Sequence, residues 1–160
     1  MDKKTNKSAK GSFGKRLRED IKNYDRHNAE ERPVLDAHFF SRYKGTIVLK
    51  LPKSRSAASF GVIFMGRDIR DTRMPRHEYG HRIQLKNMGL ARYTRKIAVP
   101  SLTANILDRL GKLPYDYYGS PWEAEADELG GVIRRTGNTP WPEGAYNSYS
   151  DLLKLFFKKA

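Results

Sequence analysis

Thr72-Arg-Met-Pro-Arg-His77-Glu78-Tyr79-Gly80-His81-Arg-Ile-Gln-Leu-Lys-Asn-Met-Gly89 is the stretch on which the reading of this chain turns. Thr72 is a helix-capping residue type, Pro75 falls in a first turn where a missing N–H is harmless, and Gly89 is placed to end a helix. The spacing therefore predicts one helix between them. On it His77 and His81 stand four apart, on one face, so their imidazoles can converge on a single cation. Glu78, one residue along and turned by about 100°, can reach a water on the open side of that cation without being a ligand. With 4 histidines in 160 residues, a chance H-E-x-x-H is on the order of one per cent or less by composition. Met74, Leu85 and Met88 project to the same side, which makes it the buried stripe. A single histidine on such a stripe is usually a satisfied core residue, but a pair at ligand spacing with a glutamate between them favours metal.

A catalytic zinc needs a third protein ligand and an open fourth position. A metzincin would carry Gly and His at positions 84 and 87, where this chain has Gln84 and Asn87, so that pattern is excluded. The next glutamate after Glu78 is Glu123, which opens Trp122-Glu-Ala-Glu-Ala-Asp-Glu-Leu-Gly-Gly131. On a helix expected over Pro121 to Arg134, Trp122, Ala126, Leu129 and Ile133 form the core stripe. Glu123 and Asp127 line up along one edge of it, and Glu125 is turned about 160° away. Glu123 is thus the expected ligand. Asp127 is expected behind the metal site, accepting the free N–H of a ligand histidine and fixing its tautomer. Glu125 is the fallback ligand. Acidic residues also collect at helix starts for purely electrostatic reasons, and it is the upstream histidine pair that favours ligation here.

The rest of the sequence reads as an α+β fold, mainly helical, with a small hairpin or sheet ahead of the histidine-bearing helix. Thr46-Ile-Val-Leu-Lys-Leu51 and Ser59-Phe-Gly-Val-Ile-Phe-Met65 are rich in β-branched and aromatic residues and are expected as two strands. Helices are expected over Leu17–Tyr24, Pro33–Phe40, Leu90–Ile97, Ser101–Leu110 and Tyr149–Phe157, and the apolar spacing of Leu152, Leu153, Phe156 and Phe157 favours packing of the last on the body over a partner-facing patch. Residues 1–14 read as a flexible basic tail and 15–160 as one domain. No apolar run approaches the roughly 18 residues a membrane span needs, and the N-terminus lacks the apolar stretch of a secretory signal. The chain has no cysteine, which removes disulfides, thiolate metal sites and cysteine nucleophiles. Its 31 basic against 18 acidic residues give a formal charge of +13, which fits either contact with a polyanion or simply a well-solvated basic surface.

The paired motifs resemble those of the gluzincin zinc peptidases, in which H-E-x-x-H on one helix is completed by a glutamate on a later one. Glu123-Ala-Glu-Ala-Asp127 looks like the E-x-x-A-D form of that second motif. Asn23-Tyr24-Asp25, Val34-Leu-Asp-Ala-His38-Phe-Phe-Ser41, Tyr43-Lys-Gly45, Ser59-Phe-Gly61, Ile97-Ala-Val-Pro-Ser101 and Pro121-Trp-Glu123 are similar to metallopeptidase-like domains at the C-terminal ends of RHS-repeat and other polymorphic bacterial toxins. That resemblance runs from about Asn23 to Gly131. It implies a zincin-like fold, a polypeptide substrate, delivery into a target cell as part of a larger secreted toxin, and a cognate immunity protein as partner.

The expected chemistry is zinc-assisted hydrolysis of an amide bond with Glu78 as general base. Tyr115, Tyr117 and Tyr118, just before the Glu123 helix, are candidates to stabilise the transition state. The Ser59–Met65 strand offers an edge on which an extended peptide can add. Two other readings compete. A basic nucleic-acid-binding module would use the tail and the Arg67–Arg82 region. A structural-zinc interaction domain would close the fourth metal position with a protein group such as His38.

Overall fold

The computed structural model describes residues 29–52, 57–134, 141 and 149–157; the basic tail and the expected Leu17–Tyr24 helix lie outside them. The fold is α+β and mainly helical, with a four-stranded sheet ahead of the histidine-bearing helix. A helical segment, α1 (residues 29–36), leads into β1 (Phe40–Tyr43) and β2 (Thr46–Leu51), followed by β3 (Ala57–Ser59) and β4 (Ile63–Gly66). The helices α2 (Arg73–Met88), α3 (Leu90–Tyr93), α4 (Val99–Arg109), α5 (Pro121–Gly130) and α6 (Tyr149–Phe157) complete it. Among the described residues, no helix is long and apolar enough to cross a membrane.

The sheet order is β1-β2-β4-β3, and its central pair is parallel, with Val48 opposite Ile63. This corrects the expectation of two strands in a possible hairpin. The segment 59–65 is broken at Gly61, which takes a positive φ of 80°, and the N–H of Phe60 donates to the carbonyl of Val62 at 3.0 Å. The resulting turn folds β3 back on β4 as an antiparallel outer strand, and β2 lies between β1 and β4. The helix expected over Pro33–Phe40 ends at residue 36, because Phe40 is taken into the ladder opposite Leu49.

The two helices expected between Leu90 and Leu110 form one helical run interrupted by a π turn, Thr94–Ala98. Pro100 lies two residues beyond it, in the first turn of α4. A proline within a helix removes a hydrogen bond and crowds the preceding turn, and the widened π turn absorbs it. At the start of α2, Thr72 makes no side-chain cap. Asp71 does so instead, its Oδ1 accepting from the N–H of Arg73 at 2.9 Å. Gly89 ends α2 as expected, its N–H bonded to the Leu85 carbonyl. α5 stops short of Arg134 because Gly131 adopts the left-handed conformation. Ile133 is therefore 92 % exposed instead of in the core, and Val132 is buried in its place.

Helix α2 belongs to both apolar clusters found among the described residues. Met74 and Tyr79 pack on the first, formed by Val34, Val48, Ile63 and Met65 beneath the sheet. Leu85 and Met88 pack on the second, around Ile97, Leu107, Trp122 and Leu152. Burial of Leu152 and Leu155 docks α6 on the body, although Phe157 is exposed. Across α2 lies α5, and the two backbones nearly touch. A Cβ at Gly80 would land on the carbonyl oxygen of Ala126, and one at Gly130 on the carbonyl oxygen of Arg76. Helix propensity alone favours Gly80→Ala by about 1 kcal/mol. The clash is with backbone and cannot be relieved by a rotamer change, so Gly80→Ala is expected to destabilise the fold by about 2 kcal/mol net. Denaturant unfolding measures this, and a more stable variant would refute the close helix contact.

Candidate metal centre

The close approach of α2 and α5 brings His77 and His81 from one helix against Glu123 from the other. All three side chains are buried, Glu123 completely. His77 Nε2 lies 3.0 Å and His81 Nε2 3.3 Å from the same carboxylate oxygen, Oε2 of Glu123. One ligand atom from each residue falls within 4.8 Å of the other two, and among the described residues this group can hold a metal ion.

The hydrogen bonds behind the imidazoles decide which nitrogen faces the centre. Asp127 Oδ1 lies 2.7 Å from His77 Nδ1, and Arg134 grips the same carboxylate through Nε at 2.8 Å and Nη2 at 3.2 Å. A carboxylate held by a guanidinium only accepts, so His77 Nδ1 is the donor. For His81 the partner is Gln84, a buried residue whose Nε2 donates to the Trp122 carbonyl at 2.9 Å and to Glu125 Oε2 at 2.8 Å. Those two acceptors oblige its Oε1 to face His81 Nδ1, 2.8 Å away, and this nitrogen too carries the proton. Both Nε2 atoms then direct lone pairs toward an anionic oxygen. Such an arrangement is favourable only with a proton or a cation between them.

Burial alone would lower the pKa of His77, but Asp127, Glu123 and Glu78 outweigh it and hold the imidazole at about 10. For Glu123, burial would raise the pKa, yet hydrogen bonds and charge from His77 and His81 hold it well below the usual carboxylate range. Glu78 is also buried, and burial raises its pKa, offset in part by His81 and His77. Its Oε2 has no hydrogen-bond partner. The side chain lines a pocket of about 670 Å³ together with His77, His81, Ser59, Ser101 and Tyr118.

The three tyrosines separate. Tyr117 bonds Glu123 Oε1 at 2.9 Å; Tyr118 lines the pocket, with its ring against His77 and the Arg134 guanidinium 3.8 Å from its centre. Tyr115 instead packs on Trp141 and is not part of the pocket wall. Glu125, the fallback ligand, is exposed and holds Gln84. His38 is exposed and stands outside the group of close ligand atoms. Sequence reading missed Gln84, Ser101 and Arg134. Gln84 was legible in principle, since it lies three residues after His81 on the buried stripe; Ser101 and Arg134 reach the centre from elements whose placement no spacing reveals.

No protein-family model, curated protein or solved structure matches this chain.

For protein stripped of divalent cations by a chelator, the signs of these shifts set a pH profile. His77, raised to about 10, contributes stability that is complete below its unfolded value of about 6.5 and lost as pH rises through 10. Glu123 and Asp127, both lowered, contribute stability present above about pH 4 and lost on acidification. Melting temperature should therefore fall on both sides of a plateau at about pH 5 to 6. A divalent cation held by this group would compete with the proton on His77, so an added cation that binds there, tested with zinc, should raise the melting temperature more at pH 8.5 than at pH 6. A zinc effect that is equal at both pH values would contradict this assignment.

Proposed function

We propose that this chain is a zinc-dependent hydrolase of peptide bonds, with His77, His81 and Glu123 as metal ligands and Glu78 as general base. The observation that carries the reading is the convergence of two imidazole Nε2 lone pairs and one carboxylate oxygen at the wall of a pocket, with both tautomers pinned from behind. A donor set of two imidazoles and a carboxylate suits zinc, and three protein ligands leave a fourth position for chemistry. Zinc held there would polarise a scissile carbonyl and lower the pKa of a water toward neutrality.

The chain's own residues have separate tasks in this scheme. Glu78, buried, unpartnered at Oε2 and facing the pocket, takes the proton of the attacking water and hands it to the leaving amine. Its raised pKa suits a group that must both accept and release a proton near neutral pH. Tyr118 is the tyrosine best placed to donate to the developing oxyanion, since Tyr117 is committed to Glu123 and Tyr115 faces Trp141. Of the expected Ser59–Met65 edge, β4 is internal to the sheet; β3, one of the two outer strands among the described residues, lines the pocket, which supports addition of an extended polypeptide along it. The toxin-type setting, with an immunity protein as partner, is supported by the sequence motifs.

The competing readings account for less. A structural zinc site needs a fourth protein ligand, and His38 does not join the group. A nucleic-acid module uses the +13 charge but leaves a buried histidine pair and an unpartnered glutamate without a role. Elemental analysis should find about one zinc per chain, and Glu78→Gln should keep that zinc while losing at least 100-fold in hydrolysis of an unfolded protein substrate. A zinc-loaded preparation with far less than one equivalent, or a Glu78→Gln variant as active as the parent, would rule the proposal out.

A further inference from the structure

Glu123 presents its two carboxylate oxygens to different neighbours. Oε2 faces both histidines, whereas Oε1 is turned toward two hydroxyl groups, Ser101 Oγ at 2.6 Å and Tyr117 Oη at 2.9 Å. Those hydroxyls are themselves 2.8 Å apart. Two hydroxyl protons serve three contacts, and the carboxylate, as the strongest acceptor present, draws both. The hydroxyls come from different elements: Ser101 from α4, three residues past the π turn, and Tyr117 from the 3-10 turn Tyr117–Gly119. Their meeting on one oxygen is thus a product of tertiary packing.

A carboxylate can bind a cation through one oxygen or through both. We propose that Ser101 and Tyr117 act as a two-hydroxyl clamp that confines Glu123 to one-oxygen ligation, so that the metal keeps an open position toward the pocket. The inference rests on the metal-ligand reading above. Neither residue belongs to the group of candidate ligands; in this proposal both are positioning residues, acting through Glu123. The role differs from the transition-state donor that the sequence suggested for Tyr117, and Ser101 has no counterpart in that expectation.

The test uses cobalt(II) in place of zinc, because its visible absorption is intense in four-coordinate sites and weak at higher coordination numbers. The parent protein should give the intense spectrum. Tyr117→Phe and Ser101→Ala, each of which deletes a single oxygen, should weaken it, and the double variant should weaken it further as Oε1 becomes a ligand. Zinc affinity, read by competition with a chromophoric chelator, should fall about 10- to 100-fold in the double variant, and Ser101→Thr, which keeps the hydroxyl, should restore the parent spectrum. Circular dichroism establishes that each variant is folded, and the single variants carry the test should the double variant fail to fold. A parent protein that binds neither cobalt nor zinc would overturn the metal reading and the clamp with it. A parent that binds both, with folded variants indistinguishable from it in spectrum and affinity, would overturn the clamp alone.

Discussion

Everything at the centre of this molecule depends on how closely α2 and α5 approach. Two glycines, one on each helix, remove the side chains that would hold the backbones apart, and each faces a carbonyl of the other helix. With a larger residue at either position the helices would separate, and the Glu123 carboxylate would withdraw from the two imidazoles. Gly80 thus has a purely steric task within the H-E-x-x-H stretch, distinct from the chemistry of its neighbours. The same contact explains why α2 is buried over much of its length and why polar side chains dominate its inner face.

Burying those polar groups is costly unless each finds a partner. The partners form a continuous set: Arg134 holds Asp127, Asp127 holds His77, Gln84 holds His81, and Ser101 and Tyr117 hold Glu123. Each of these bonds also has a directional result. Protons are assigned to the outer nitrogens, and lone pairs are left pointing inward. Glu78 Oε2 and Ser59 Oγ, both from residues that line the pocket, are buried and unbonded. A buried polar atom without a partner costs free energy and is uncommon in a folded protein.

The π turn between α3 and α4 links backbone irregularity to the site. Ile97 and Ala98 from that turn line the pocket, and Ser101 follows one turn later. Such turns are frequent at functional positions because they alter helical phase locally without ending the helix. Here one also accommodates Pro100, so a single local feature answers both a covalent constraint and the need to aim a hydroxyl at Glu123.

The sequence by itself determined the ligand geometry within each helix. A four-residue spacing places His77 and His81 together wherever α2 forms, and the same spacing places Asp127 on the face of Glu123. It also determined the ends of α2 and the α+β class, since those follow from local periodicity and from Gly89. What it did not determine was anything set by long-range pairing. The parallel alignment of β2 with β4 is such a pairing; the breaks at Gly61 and Gly131, which make β3 a separate strand and leave Ile133 exposed, are glycine conformations that periodicity does not report. Only the tertiary structure sorted three neighbouring tyrosines into three environments and brought Gln84, Ser101 and Arg134 to the centre. Helical spacing fixes direction around one axis, but the distance between two axes is settled by what packs between them, and at the decisive point here that is the absence of a side chain.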